Sequence, residues 1–232
     1  MTYRLVIFDF DGTLADSASW TARAMIEGAD RHGYRRLDAA GIEALRGMDN
    51  RAIIRALGVP LWRLPAIVRD MRRRLAAEAG SIPLFPGATA MVEALAAGGM
   101  TLAVVTSNTE ETVRRIMGPA LSARFAFIEC GASIFGKAPR LRRVVRRSGI
   151  PAGAVIAIGD EARDIEAARA VGISAGAAGW GYATPALLAS LRPDLFFGEM
   201  EEVAEALLPL SPGPWPRPGS PAGTEAAPLA RG

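Results

Sequence analysis

Asp9-Phe10-Asp11-Gly12-Thr13-Leu14 sets two carboxylates two positions apart, just after the apolar run Leu5 to Phe8. In a β-strand, residues two apart point the same way, so Asp9 and Asp11 are expected to converge while Phe10 turns into the core. Gly12 lets the backbone leave the strand tightly. A second acidic pair, Asp160 and Asp164, stands in Gly159-Asp160-Glu161-Ala162-Arg163-Asp164 behind the run Val155 to Ile158. A helix starting there would carry residues four apart on one face. Plainer readings exist: Asp160 as a helix cap, Asp164 paired with Arg163 or Arg169. The combination outweighs them. At an effective dielectric of ~20, two unit charges ~4 Å apart repel by about 4 kcal/mol, and a bound cation relieves that repulsion. Oxygen ligands without histidine or thiolate point to a hard ion. Few protein ligands, with room left for water and phosphate, favour Mg²⁺ over Ca²⁺.

Two further stations offer anion-binding groups. Thr106-Ser107-Asn108 ends the run Leu102 to Val105 and presents hydroxyls and N–H groups near the start of the next helix. Simple helix capping by Ser107 or Asn108 is its alternative. Lys137 opens another helix after Gly136. It is the only lysine, the other 26 of the 27 basic residues being arginine, which suits a place needing a compact point charge and not a planar fork.

The elements that must position these residues alternate. Short apolar runs at Leu5 to Phe8, Leu102 to Val105, Val155 to Ile158, Ile173 to Ala177 and Leu195 to Phe197 read as buried strands. Helical patterns fall between them at Ala88 to Leu95, Glu111 to Met117, Leu141 to Arg147 and Ile165 to Val171, each followed by glycine. The expected fold is α/β, a doubly wound parallel sheet. Ala15 to Pro86 interrupts the alternation with helical periodicity alone. The expected organisation is therefore a core of residues 1–14 and 87–208 and an inserted α-helical cap of residues 15–86. A Pro/Gly-rich tail, 209–232, has no apolar period to bury and is expected to be disordered.

Composition excludes other chemistries. One cysteine, Cys130, allows no internal disulfide, and one histidine, His32, rules out a His-based metal site or a Ser-His-Asp triad. A net charge of +3 is too mild for a nucleic-acid binder. No apolar stretch approaches the ~18 residues of a membrane span, and Met1 to Arg4 is too short a lead for a signal peptide. A cytoplasmic protein with a small anionic substrate, and no nucleic-acid or membrane partner, is the expectation.

The four stations resemble the motifs of the haloacid dehalogenase-like superfamily: Asp9 and Asp11 in the first, Thr106 in the second, Lys137 in the third, Asp160 and Asp164 in the fourth. The helical insertion after the first motif resembles a type C1 cap of the phosphoglycolate phosphatase and β-phosphoglucomutase branches. The resemblance implies Asp9 as nucleophile, forming an aspartyl-phosphate, and Asp11 as general acid and base. It implies Mg²⁺ held by Asp9, the Asp11 main-chain carbonyl and Asp160, with Asp164 as ligand or support. Thr106 and Lys137, with Ser107 and Asn108 beside them, would hold the phosphoryl oxygens. Arg46 and Arg51 lie at a break between cap helices, where related caps place a substrate-reading loop, and either could grip an anionic substrate. Asp11 disfavours the dehalogenase and phosphonatase branches. The implied activity is a Mg²⁺-dependent phosphatase acting on a small phosphorylated metabolite. A phosphomutase on the same core and a non-catalytic phosphate-sensing or partner-binding protein are the alternatives.

Overall fold

Residues Leu5–Phe8 are buried throughout and form β1, at the centre of a parallel sheet. Such a strand, apolar on both faces, is stable only where helices cover both sides. The computed structural model describes residues 3–131 and 136–208; the stretch expected to be disordered, 209–232, lies outside the described residues. The strands run β3 (Phe127–Glu129), β2 (Thr101–Val105), β1, β4 (Val155–Gly159), β5 (Ser174–Ala178) and β6 (Leu195–Phe197), every neighbouring pair parallel. Phe8 is in register with both Val104 and Ile158. The three central strands therefore end level, and whatever follows them shares one edge, where open parallel sheets bind ligands. The edge strand β3 carries no signal in the sequence pattern: it is three residues long and half-buried at two of them.

Alternation of side chains along the strands makes two cores. Val6, Phe8, Leu102, Val104, Ile156 and Ile158 face one side. There they meet α5 (Ala88–Ala97), α6 (Glu110–Ser122) and α10 (Glu201–Leu207). Leu5, Ile7, Ala103, Val105, Val155 and Ala157 face the other side. There they meet α7 (Ala138–Ser148), α8 (Ala162–Val171) and α9 (Pro185–Ser190). Each large apolar side chain so buried contributes about 1.5–3 kcal/mol. Gly118, a stop signal in the sequence, kinks α6 with φ 73°, and Pro119 restarts the turn.

Between β1 and α5 run α1 (Ala18–His32), α2 (Ala39–Leu45), α3 (Asn50–Ala56) and α4 (Leu64–Glu78). Leu57, Val59, Leu64 and Ile67 form a small apolar cluster of their own with Met25, Tyr34, Ile53 and Ile54. Trp20 and Ala24 of α1 and Leu75 of α4 instead join the core beneath the sheet, so the helical segment is packed onto it. Among the described residues no helix is long and apolar enough to cross a membrane.

Arg142, Arg143, Arg146 and Arg147 of α7 are exposed on the side of the helix away from its buried Leu141 and Val144. The structure shows a further use. Arg140, Arg143 and Arg147 converge on Glu129 at 3.3, 3.5 and 2.8 Å and tie the helix to the edge strand.

Candidate active site

Asp9 follows β1 with the parity of Leu5 and Ile7, so it turns to the face that α7 and α8 cover. Ile7, Asp9, Lys137, Leu141 and Asp164 line one small cavity there. Lys137, the residue before α7, pairs through its ammonium with Asp9 and, at 2.5 Å, with Asp164. Asp160 leaves the end of β4 and is fully buried. Its carboxylate accepts the Thr13 hydroxyl at 2.7 Å and the Tyr182 N–H at 2.8 Å. Carboxylate oxygens of Asp9, Asp160 and Asp164 all lie within 4.8 Å of one another.

The two acidic residues of the fourth station do not share a helix face, as a helix starting at Asp160 would require. The helix begins at Ala162, and Asp164 reaches back from its first turn to accept the Glu161 N–H at 3.1 Å. Gly159 makes this possible, because a Cβ there would stand 2.4 Å from the Asp164 carboxyl carbon. Arg163, which the sequence offers only as a partner for Asp164, is turned inward and pairs with Glu161 at 2.8 Å. Its place inside the fourth motif was the available signal.

These environments set the charges. Burial raises Asp9 to about 7, with Lys137 opposing and Asp164 adding to the rise. Burial likewise raises Asp160 well above the usual carboxylate range, with Glu161, Asp9 and Asp164 adding to it. Burial alone would lower Lys137, but Asp164 and Asp9 outweigh it and hold the ammonium charged. Three buried carboxylates against these cations form an all-oxygen donor set fit for a hard divalent ion.

Asp11 stands apart from this group. Strand periodicity does not extend to it, because the chain turns after Phe10. The N–H groups of Leu14 and Ala15 both reach the Phe10 carbonyl at 2.9 Å, and Gly12 adopts φ 75°. The Asp11 carboxylate accepts the Ser17 hydroxyl at 3.1 Å and the Asn108 amide at 2.7 Å. Burial raises its pKa and those two hydrogen bonds oppose the rise.

At the second station, Thr106 is buried, its N–H donating to the Glu129 carbonyl at 3.0 Å and its hydroxyl accepting the Asn108 N–H at 3.1 Å. Thr109 caps α6, which frees Asn108 for Asp11. Ser107 is half-buried and makes no side-chain hydrogen bond among the described residues.

The two insertion arginines differ. Arg46 donates through Nε to the Tyr182 carbonyl at 3.0 Å and through Nη2 to the Gly181 carbonyl at 3.4 Å, with Nη1 on Glu43 at 3.0 Å. The Thr184 N–H returns to the Arg46 carbonyl at 2.9 Å. Arg51 is exposed on α3 and makes no ion pair among the described residues. The loop that Arg46 holds, Gly179-Trp180-Gly181-Tyr182, packs against the first motif. A Cβ on Gly181 would lie 2.2 Å from the Asp160 Cβ and 2.4 Å from the Gly12 carbonyl oxygen. Glycines in that stretch suggest a close approach; the use of Tyr182 has no sequence signal.

The chain matches the family model described as haloacid dehalogenase-like hydrolase over residues 6–178. It is 30% identical over 206 residues to phosphoglycolate phosphatase of Synechococcus elongatus, covering 88% of this chain and 97% of that protein. It is 32% identical over 193 residues to phosphoglycolate phosphatase of Xylella fastidiosa, covering 77% and 81%. A haloacid dehalogenase-like hydrolase structure from Streptococcus pneumoniae shares the fold with a TM-score of 0.74 and 23% identity, covering 88% of this chain and 98% of that one.

Proposed function

The chain belongs to the haloacid dehalogenase-like hydrolase family, and from that premise we propose that it is a phosphatase of small phosphorylated metabolites, working through an aspartyl-phosphate. Phosphoglycolate is the first candidate substrate, because relatives near 30% identity carry that name. One observation carries the reading. Two carboxylates two residues apart occupy unlike environments: Asp9 lies against Lys137 in the charged group, and Asp11 is held outside it by Ser17 and Asn108. Paired carboxylates in unlike surroundings suit a nucleophile and a general acid.

Asp9 attacks phosphorus in line, and the leaving oxygen takes its proton from Asp11. Asp11, now ionised, accepts a proton from a water that attacks the aspartyl-phosphate, releasing phosphate and restoring the Asp9 carboxylate. Lys137 and Thr106 hold the phosphoryl oxygens while charge builds on them. Asp9, Asp160 and the Asp11 main-chain carbonyl would hold Mg²⁺, with Asp164 as ligand or support, and the ion would neutralise the phosphoryl charge. The helical segment 15–86 serves as the cap, with Arg46 at its contact with the loop.

The test is phosphate release from phosphoglycolate and a panel of metabolite phosphates, with and without Mg²⁺, for the wild type and Asp9→Asn. Turnover that needs Mg²⁺ and disappears in Asp9→Asn is expected. An Asp9→Asn protein as fast as wild type would remove the nucleophile. Transfer to a second substrate hydroxyl without phosphate release would assign a mutase.

A further inference from the structure

Tyr182 joins parts of the molecule that are remote in sequence. Its hydroxyl lies 2.5 Å from the Ser17 Oγ and 3.2 Å from the Thr21 Oγ1. Ser17 donates to Asp11 at 3.1 Å. The Tyr182 main-chain N–H donates to Asp160 at 2.8 Å, and the Tyr182 carbonyl accepts the Arg46 Nε at 3.0 Å. The ring lies against Gly12, where a Cβ would stand 2.9 Å from the Tyr182 Cδ2.

Donor counting gives the chain a direction. Ser17 has a single hydroxyl proton, and it goes to Asp11 Oδ1, which accepts it whether the carboxyl is ionised or, as the general acid, directs its own proton at the leaving oxygen. The Tyr182 hydroxyl must therefore donate to Ser17, and its remaining lone pair accepts from Thr21. Three hydroxyl protons thus point one way, toward one oxygen of Asp11, and Asn108 holds the other oxygen at 2.7 Å. A carboxyl restrained at both oxygens keeps one orientation, which a proton transfer to a leaving group requires. The same tyrosine fixes Asp160 through its N–H, so the distance between the acid and the carboxylate group is set by a single residue. Two Arg46 bonds to consecutive carbonyls, with the return bond from Thr184, hold the loop that carries it.

We propose that Tyr182 is a positioning residue: through Ser17 it aims the Asp11 carboxyl at the leaving oxygen, registered against Asp160. The proposal rests on the reading of Asp11 as the general acid. A leaving-group series separates the two. Phenol needs a proton as it departs and p-nitrophenol needs almost none, so in kcat/KM, which covers the steps through leaving-group departure and not the later hydrolysis common to both esters, loss of the acid is felt by phenyl phosphate and hardly by p-nitrophenyl phosphate.

Steady-state rates on substituted phenyl phosphates with Mg²⁺ would be measured for the wild type, Tyr182→Phe, Ser17→Ala and Asp11→Asn. For Tyr182→Phe, kcat/KM on phenyl phosphate is expected to fall roughly tenfold and on p-nitrophenyl phosphate less than about twofold. Ser17→Ala, which cuts the same chain beyond Tyr182, should show the same selective loss, and Asp11→Asn a larger one. Equal losses on both esters in Tyr182→Phe and Ser17→Ala, beside a selective loss in Asp11→Asn, would overturn the positioning role and leave the acid in place. No selective loss in Asp11→Asn would overturn the acid, and the proposal with it.

Discussion

The Lys137 ammonium lies between the carboxylates of Asp9 and Asp164, and so ties the end of β1 to the first turn of α8 through the residue that opens α7. A chain that otherwise uses arginine keeps its one lysine at this buried place. A guanidinium is a wide planar fork, whereas an ammonium touches two carboxylates from one point.

Replacing Lys137 by Ala is expected to lower kcat by about 10²–10³, the effect of removing one preorganised charge from a phosphoryl site. Lys137→Arg should recover little of that loss. Phosphate-release kinetics on the two variants checks both statements, and Lys137→Ala activity within a few-fold of wild type would refute the first.

Stability and pH are linked through Asp9. Its folded value near 7 lies above its ordinary 3.8, so in that window the folded chain keeps a proton which the unfolded chain has released. Metal-free stability from this group is present below that window and declines as pH rises through it. A divalent ion displaces the proton. The rise in Tm on adding Mg²⁺ should therefore be small near about pH 5 and larger near about pH 8. Thermal melts at the two pH values decide it, and a shift independent of pH would contradict the assignment.

Gly181 leaves no room for a side chain: its Cβ would meet the Asp160 Cβ and the Gly12 carbonyl, neither of which is a flexible tip. Gly181→Ala should cost about 1–3 kcal/mol in urea unfolding and weaken Mg²⁺ binding by roughly 10–100-fold as Asp160 is displaced. Gly153→Ala, with open space around it, is expected to stay within about 0.5 kcal/mol of wild type.

Glu129 collects three arginines of α7, while its carbonyl holds the Thr106 N–H. The arginines are partly exposed, which weakens each pair, so Glu129→Gln should cost about 1–2 kcal/mol and not the full value of a buried ion pair. Urea unfolding measures this. An unchanged midpoint would mean that the cluster contributes nothing to the seating of α7.

Much of the framework was legible in the chain. Uninterrupted apolar runs identify strands covered on both faces, and β1 and β6 coincide with Leu5 to Phe8 and Leu195 to Phe197. The short strand β3 was hidden because three half-apolar residues on a sheet edge have no period to display. The apolar period shows α8 only from Ile165 and leaves its entry open back to Asp160; the packing of Gly159 against Asp164 goes with a start at Ala162.

The residue types and their places at strand ends are local properties, and they determined by themselves that acidic groups, a threonine and a lone lysine would gather on one edge of a parallel sheet. Which oxygen meets which donor was decided only by tertiary structure. Asp11 turns to Asn108 and Ser17, Arg46 clasps the Gly181-Tyr182 carbonyls, and Tyr182 reaches Ser17 across 165 positions of sequence. Such bonds depend on how separately folded segments stack against each other, and short-range periodicity holds no record of that distance.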